Sequence, residues 1–271
     1  LVFSQRGAVR LSSDPLRCFL SKHISKLRLA SHFVDSIVPN YETARQILVR
    51  KGIPAAKIQP IYNGLTEDAF SQSIAAADLS ELGLNGDAPV VLFVGSLIPR
   101  KGVSDLIEAA AAVPDAQFLL VGDGPLKESL DQRIAELKLG KRMVLAGHRT
   151  DVPQLMRAAD MLVLPAYAEG LPNVVLEAGA ARLPVIATDV DGTPEVIEHR
   201  ETGLLVHPGN PHQLAAAIQE MLNDPGLRTE VAAALYDRVV ETFTIDRMLR
   251  EYEKMLTAPE NDPAKPANPR Q

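Results

Sequence analysis

Six short apolar runs punctuate the chain from residue 90 onward: VVLFVG, QFLLVG, MVLAG, MLVLP, VIAT and GLLV. Each has four to six residues, and none alternates between apolar and polar positions. A strand with one wet face alternates, whereas a strand covered on both faces is apolar throughout. The segments between the runs have helical spacing: Val103, Leu106, Ile107 and Ala110 share one face, and Leu126, Leu130, Ile134 and Leu137 share another. This order predicts an α/β fold, an open and doubly wound parallel sheet of Rossmann-like type. Ligands of such sheets lie beyond the carboxyl ends of the strands, so the loops after the runs are where chemistry is expected.

The 271 residues allow one large domain or two small ones. Upstream, residues 14–33 have helical spacing, SIVP reads as a short strand, NYETARQILVRKG as a helix ending at Gly52, and KIQPIYNGL as another strand and turn. The organisation expected is a partial first domain over 1–70, a linker over 71–88, a ligand-binding sheet domain over 89–257 and a disordered tail rich in Pro, Asn and charge over 258–271. A formal net charge of −6 argues against a broad nucleic-acid surface. The single cysteine, Cys18, builds neither an internal disulfide nor a cysteine metal cluster and fits a reducing compartment. No run approaches the ~18 apolar residues of a membrane span, and the start LVFSQRGAVR does not read as a signal peptide. It begins as if in mid-strand and without methionine, so the chain is expected to be a piece of a longer protein.

The loop after the first run, GSLIPRKG, places Arg100 and Lys101 just ahead of a helix, with Gly95 and Gly102 allowing close backbone approach. Positive charge at a strand end suits a phosphate or diphosphate, and that reading is preferred to a solvated basic turn. The second loop, GDGPLKES, contains Gly122 in half of a dinucleotide fingerprint; it is either a ligand loop or a tight turn with Pro125 opening a helix. The third loop contains His148 and Arg149, either as surface residues or as the edge of a nucleobase site, without metal-ligand spacing nearby. The fourth run leads into EGLPNVVLEAGA, residues 169–180. Pro172 suits a first helical position, which leaves Glu169 in the approach loop and Glu177 within an apolar helix. A carboxylate accepts two hydrogen bonds and so fits a vicinal diol, while a helix start favours an anion. Glu177 lies in surroundings too apolar for a solvent face and calls for a polar partner. The D-x-D at Asp189 and Asp191 reads as a turn.

Taken together, GSLIPRKG, VGDGP, the AGHRTDV loop, the Glu169–Glu177 pair, LPVIATDVDGTPEVI and TGLLV resemble the family 4 retaining glycosyltransferases of the GT-B fold, over residues 20–257. The resemblance implies two Rossmann-like domains, the second holding a nucleotide-sugar donor and the first most of the acceptor. It implies no cofactor beyond the donor itself, a UDP- or GDP-hexose. By position, Lys101 would contact the donor diphosphate with Arg100 beside it, and Gly95 and Gly122 would line the site. Glu169 would hold sugar hydroxyls, and the backbone of Gly170, Leu171, Asn173 and Val174 would lie near sugar and phosphate. Glu177 would hold the ribose diol, and His148 and Arg149 would wall the nucleobase. Lys101 and Glu169 are the expected catalytic pair.

The chain departs from the family pattern at Ser96, where an arginine is common, and at Asp191, where a glycine is common. The front of the first domain, ~100 residues by ordinary domain size, would be absent, and with it the acceptor loop. The implied setting is cell-surface polysaccharide or glycolipid synthesis in the cytoplasm, at the inner face of the membrane, with a sugar or lipid-linked acceptor. The basic segment RCFLSKHISKLR is a weak candidate for peripheral membrane contact, and an uncovered apolar face is expected to drive homodimerisation. Two other readings compete: an inactive module that binds a nucleotide sugar, and an NAD-dependent oxidoreductase resting on VGDGP alone, which lacks the third glycine.

Overall fold

The computed structural model describes residues 2–5, 31, 33–71, 73–84 and 88–257. All but Ser31 and Phe33 of the helix expected within 14–33, the basic segment inside it and the 258–271 tail therefore lie outside the described residues.

Six strands form one all-parallel sheet: β3 (Val90–Val94), β4 (Gln117–Val121), β5 (Met143–Gly147), β6 (Met161–Leu164), β7 (Val185–Thr188) and β8 (Leu204–Val206), in the order β5-β4-β3-β6-β7-β8. Strand parity explains the unbroken apolar runs. Val91, Phe93, Phe118, Leu120, Val163 and Ile186 pack on one side, against α2 (Val103–Ala111), α3 (Lys127–Glu136) and α6 (Pro211–Asn223). Leu92, Leu119, Val121, Leu162, Leu164 and Val185 pack on the other, against α4 (Val152–Ala158), α5 (Asn173–Ala180) and α7 (Pro225–Thr242). Both faces are dry, so the polar residues of these strands are confined to their ends, at Gln117 and Thr188. The chain leaves β3 in one direction for β4 and β5, then returns beside β3 for β6. The reversal opens a crevice at the carboxyl ends of β3 and β6, the usual ligand position in such sheets.

Ahead of the sheet, β1 (Val2–Gln5) pairs in parallel with β2 (Ser36–Pro39), followed by α1 (Glu42–Arg50). Gly52, at φ 83°, ends that helix as expected. The strand expected within KIQPIYNGL does not form. Ile58 makes a single bridge to Ile37, and Gln59 N–H and Ile61 N–H reach Ile37 O and Pro39 O. Pro39, which accepts from Ile61, has no N–H to return to Gln59 O, which stops a continuous ladder.

This upstream part is tied to the sheet module by one carboxylate. Glu195 accepts the N–H groups of Glu42 and Thr43, both at 2.7 Å, and the Tyr62 hydroxyl at 3.0 Å. It thereby caps α1 from 153 positions away, where Tyr41 offers no side-chain cap of its own. Burial first, then Glu195, pushes the Tyr62 pKa up to about 12. Leu65 bridges to Thr244, just ahead of α8 (Ile245–Thr257), and Gly64 packs so tightly on the Thr244 backbone that a side chain would overlap it. Residues 73–84 are strapped down as well: Leu84 is buried, Leu79 and Leu82 pack on the core, and Ala77 N–H reaches Gln154 O.

Candidate functional site

The crevice between β3 and β6 is built by two loops stitched to each other. After β3, residues 95–102 form a single tight turn at Pro99–Lys101, closed by Gly102 at φ 65°. A Cβ at Gly102 would overlap the Pro165 carbonyl oxygen, so only glycine lets this loop press on the exit of β6. Tyr167 N–H then donates to Arg100 O at 2.8 Å, and Arg100 Nη1 donates to Ala168 O at 2.9 Å. Tyr167 hydroxyl donates to Asp105 Oδ2 at 2.7 Å, and burial followed by that contact pushes the phenol up to about 12.

This stitching brings two charges that are 68 positions apart in sequence into contact. Lys101 Nζ donates to Glu169 Oε1, while Arg100 Nη1 stands 3.8 Å from Glu169 Oε2. Glu169 is 6% exposed. A carboxylate removed from water to that degree is costly unless paired, and Lys101 supplies the pair. Its backbone is fixed too, for Glu169 N–H donates to Asp191 Oδ2 at 3.0 Å. Asp191 has φ 48°, which accounts for glycine being common there. Its carboxylate serves as a brace for the Glu169 loop, in keeping with a turn at 189–192.

Beyond Glu169 the chain enters α5. Pro172 is the cap, one place earlier than the first helical position expected of it, and no side chain caps this helix. Val175 N–H donates to Pro172 O at 3.0 Å, so the N–H groups of Asn173 and Val174 are the ones ahead of the helical ladder, at its end of partial positive charge. Gly170 and Leu171 are buried, with the Leu171 side chain in the core, so their backbone is what faces any ligand role; Asn173 is exposed and Val174 half-buried. Asn63 Nδ2 donates to Asn173 Oδ1 at 2.8 Å, bringing an upstream residue to the mouth of the crevice. Glu177 lies within α5, half-buried, with no ion pair among the described residues. Burial alone pushes its carboxyl above the ordinary value of 4.5.

The remaining expected residues divide into two kinds. Gly95 and Gly122 pack on each other: a Cβ at Gly122 would overlap Gly95 O, and Gly95 N–H donates to Val121 O at 2.9 Å. That contact gives both glycines a structural reason at the floor of the crevice. The helix after VGDGP opens at Lys127, capped by Leu126, so Pro125 lies in the turn before it. His148 is exposed, and Arg149 turns back on its own loop, binding Asp151 through Nε at 2.8 Å and Nη2 at 2.6 Å. Neither makes a hydrogen bond to Lys101 or Glu169. Asn63, Asp105, Tyr167 and Glu195 escaped sequence reading. The Asn-Gly pair at 63–64 was the one local signal among them.

Comparison with known proteins now bears on this geometry. The family described as glycosyl transferases group 1 matches residues 76–238. An alpha-D-kanosaminyltransferase of Streptomyces kanamyceticus is 32% identical over 231 residues, 81% of this chain and 58% of the relative. A UDP-Gal:alpha-D-GlcNAc-diphosphoundecaprenol alpha-1,3-galactosyltransferase of Escherichia coli is 31% identical over 252 residues, 89% of this chain and 62% of the relative. The chain thus spans about three-fifths of the length of these curated relatives. Among solved structures, Anabaena Alr3699/HepE in complex with UDP-glucose superposes with a TM-score of 0.86 at 26% identity, over 95% of this chain and 72% of that one. Six parallel strands with helices on both faces are shared with such GT-B glycosyltransferases. Family match, relatives and fold agree: the chain belongs to the group 1 glycosyl transferases.

Proposed function

We propose that the crevice between β3 and β6 holds a nucleotide-sugar donor, a UDP- or GDP-hexose, and that the full-length protein transfers the hexose with retention, as a family 4 enzyme. The observation that carries this reading is the contact of Lys101 with Glu169 beside the uncapped start of α5. One cation and one helix end are suited to the diphosphate, and one carboxylate to sugar hydroxyls. Glu177, half-buried and without an ion pair among the described residues, is suited to a ribose diol that would hydrogen-bond it. The HepE structures, which contain UDP and UDP-glucose, lend support to a uridine donor.

On this reading the bond between the anomeric carbon and the diphosphate oxygen breaks as the acceptor oxygen bonds to that carbon from the same face. The acceptor proton passes to the departing phosphate oxygen. Negative charge grows on the diphosphate, and Lys101, Arg100 and the α5 N–H groups are already in place to receive it. Glu169 orients the sugar. The Escherichia coli relative, named for a diphosphoundecaprenol acceptor, supports a lipid-linked acceptor for this protein and a working position at the inner face of the membrane. Among the described residues no helix is long and apolar enough to cross a bilayer.

Calorimetry with UDP-, GDP- and ADP-hexoses, followed by a product assay on the full-length protein, tests the proposal. Binding of one of them, lost in Glu169→Ala, together with product of retained configuration is the expected result. Binding without product points instead to a module that only holds the donor. No binding to any of the three removes the donor reading.

A further inference from the structure

The turn from Asp191 to Glu195 touches two parts of the molecule at once. At one end it meets the loop of the crevice, where Asp191 Oδ2 accepts Glu169 N–H at 3.0 Å. At the other it meets the upstream part: the Glu195 carboxylate accepts Glu42 N–H and Thr43 N–H at 2.7 Å each and the Tyr62 hydroxyl at 3.0 Å. Gly192 lies between. A Cβ there would stand 2.5 Å from Gly170 O and 3.0 Å from Tyr41 Cγ. Its φ is −88°, so crowding from both sides, rather than backbone conformation, demands glycine.

Capping alone does not account for this arrangement. A nine-residue helix such as α1 is capped most simply by Asp, Asn, Ser or Thr at its own N-cap. That place is held by Tyr41, which is buried; burial first, then Asp191 and Glu195, hold its phenol well above the ordinary value. The next upstream segment repeats the pattern. Tyr62 reaches Glu195, and its neighbour Asn63 donates to Asn173 Oδ1 at 2.8 Å, at the start of α5. The Tyr62 ring stands edge-on to Phe243 with centroids 5.4 Å apart, and Arg238 Nη2 of α7 donates to Glu195 O at 3.0 Å. Glu195 is therefore held from α1, from the Tyr62 segment and from α7. Close-packed, hydrogen-bonded groups have little room to yield, so a shift of the upstream part moves the turn, and the turn moves the backbone of Glu169.

We propose that Glu195 is a positioning residue for the crevice: by seating the 191–195 turn on the upstream part, it holds Glu169 in place against the sugar while touching no ligand itself. The role rests on the reading of Glu169 as the acid that holds the sugar, and adds that this grip depends on how the upstream part sits. The diphosphate half of the crevice is braced elsewhere, by the Gly102–Pro165 contact and the Tyr167–Arg100 bond, so the two halves respond differently to loss of Glu195.

The test is calorimetry on the full-length protein with UDP-, GDP- and ADP-glucose and with UDP, GDP and ADP. The variants are Glu195→Ala, Tyr62→Phe, Asp191→Gly, Glu195→Ala combined with Asp191→Gly, and Glu169→Ala. Glu195→Ala is expected to weaken the nucleotide sugar about tenfold and its diphosphate by no more than about twofold. Tyr62→Phe, which leaves the cap of α1 intact, does the same on a smaller scale. Asp191→Gly, at a φ of 48° that glycine adopts freely, removes the brace; adding Glu195→Ala to it weakens binding no further, because both act along one route. Equal weakening of nucleotide sugar and diphosphate in Glu195→Ala overturns the proposal, for that is the mark of a merely structural role. So do losses that multiply in the combined variant, and so does unchanged affinity in Glu195→Ala. Where Glu195→Ala does not fold, Tyr62→Phe decides by the same outcomes. In each of these cases a loss of binding in Glu169→Ala leaves the donor reading standing. Wild-type binding by Glu169→Ala, or no binding of any nucleotide sugar, removes both.

Discussion

The loops after β3 and β6 and the loop after β5 both present basic residues at carboxyl strand ends, yet the fold treats them differently. Lys101 is drawn against a buried carboxylate 68 positions away. Arg149 binds Asp151 two positions on, in a loop where His148 is exposed. The first arrangement needs Gly102, the Tyr167–Arg100 backbone bond and the Asp191 brace to exist. The second needs only its own tripeptide. Investment of remote structure, rather than charge at a strand end, is what separates a built site from a solvated turn.

The strongest way to break that comparison is to remove its central pair. Glu169→Ala is expected to cut transfer by the full-length protein by about 10²–10³-fold and to destabilise it by about 3–5 kcal/mol, because Lys101 is left largely buried and unpaired. Replacing both, Lys101→Met with Glu169→Leu, is expected to restore stability while transfer stays lost; product assays and chemical denaturation separate the two effects. Next comes the stitching. Gly102→Ala forces a side chain against Pro165 O at a left-handed position, for a loss of about 2–4 kcal/mol seen in the denaturation midpoint.

Glu177 sharpens the comparison through pH. Its folded pKa lies above the unfolded one, so the folded protein holds the proton more tightly and the charged form costs stability. That cost is absent below the unfolded value of 4.5 and develops as pH rises through the folded value. Glu177→Gln is therefore expected to raise the melting temperature at pH 7, with the gain vanishing below pH 4.5, while donor affinity falls. An equal gain at all pH values would refute the cause given. The smallest effect is expected of Arg149→Ala, whose ion pair is open to solvent: an unchanged melting temperature, and transfer within about threefold of wild type. A large loss of donor affinity would place the β5 loop with the built site after all.

The sheet was readable from sequence because burial on both faces leaves an unbroken apolar run, and six such runs became six strands. Short-range breaks were less so. Pro39 interrupts the ladder from the β2 side, although IQPIY opposite it suits a strand by composition. Pro172 caps α5 where its fixed φ suggested the first helical turn. The Rossmann-like rule placed Lys101 and Glu169 in one crevice, but their direct contact depends on loop stitching that no local pattern encodes. Glu195 was illegible for the same reason: it caps a helix 153 residues upstream, and nothing in TPEVI announces that.

The Lys101–Glu169 contact bears on how a spent donor departs. In the resting protein each charge satisfies the other. A complete nucleotide sugar, on the proposed reading, replaces both halves of that contact at once. The nucleoside diphosphate left after transfer engages the lysine but offers the acid nothing, so the acid competes for its old neighbour. Re-formation of the pair would then help expel the by-product, and the turnover step that empties the crevice would be driven from within the protein.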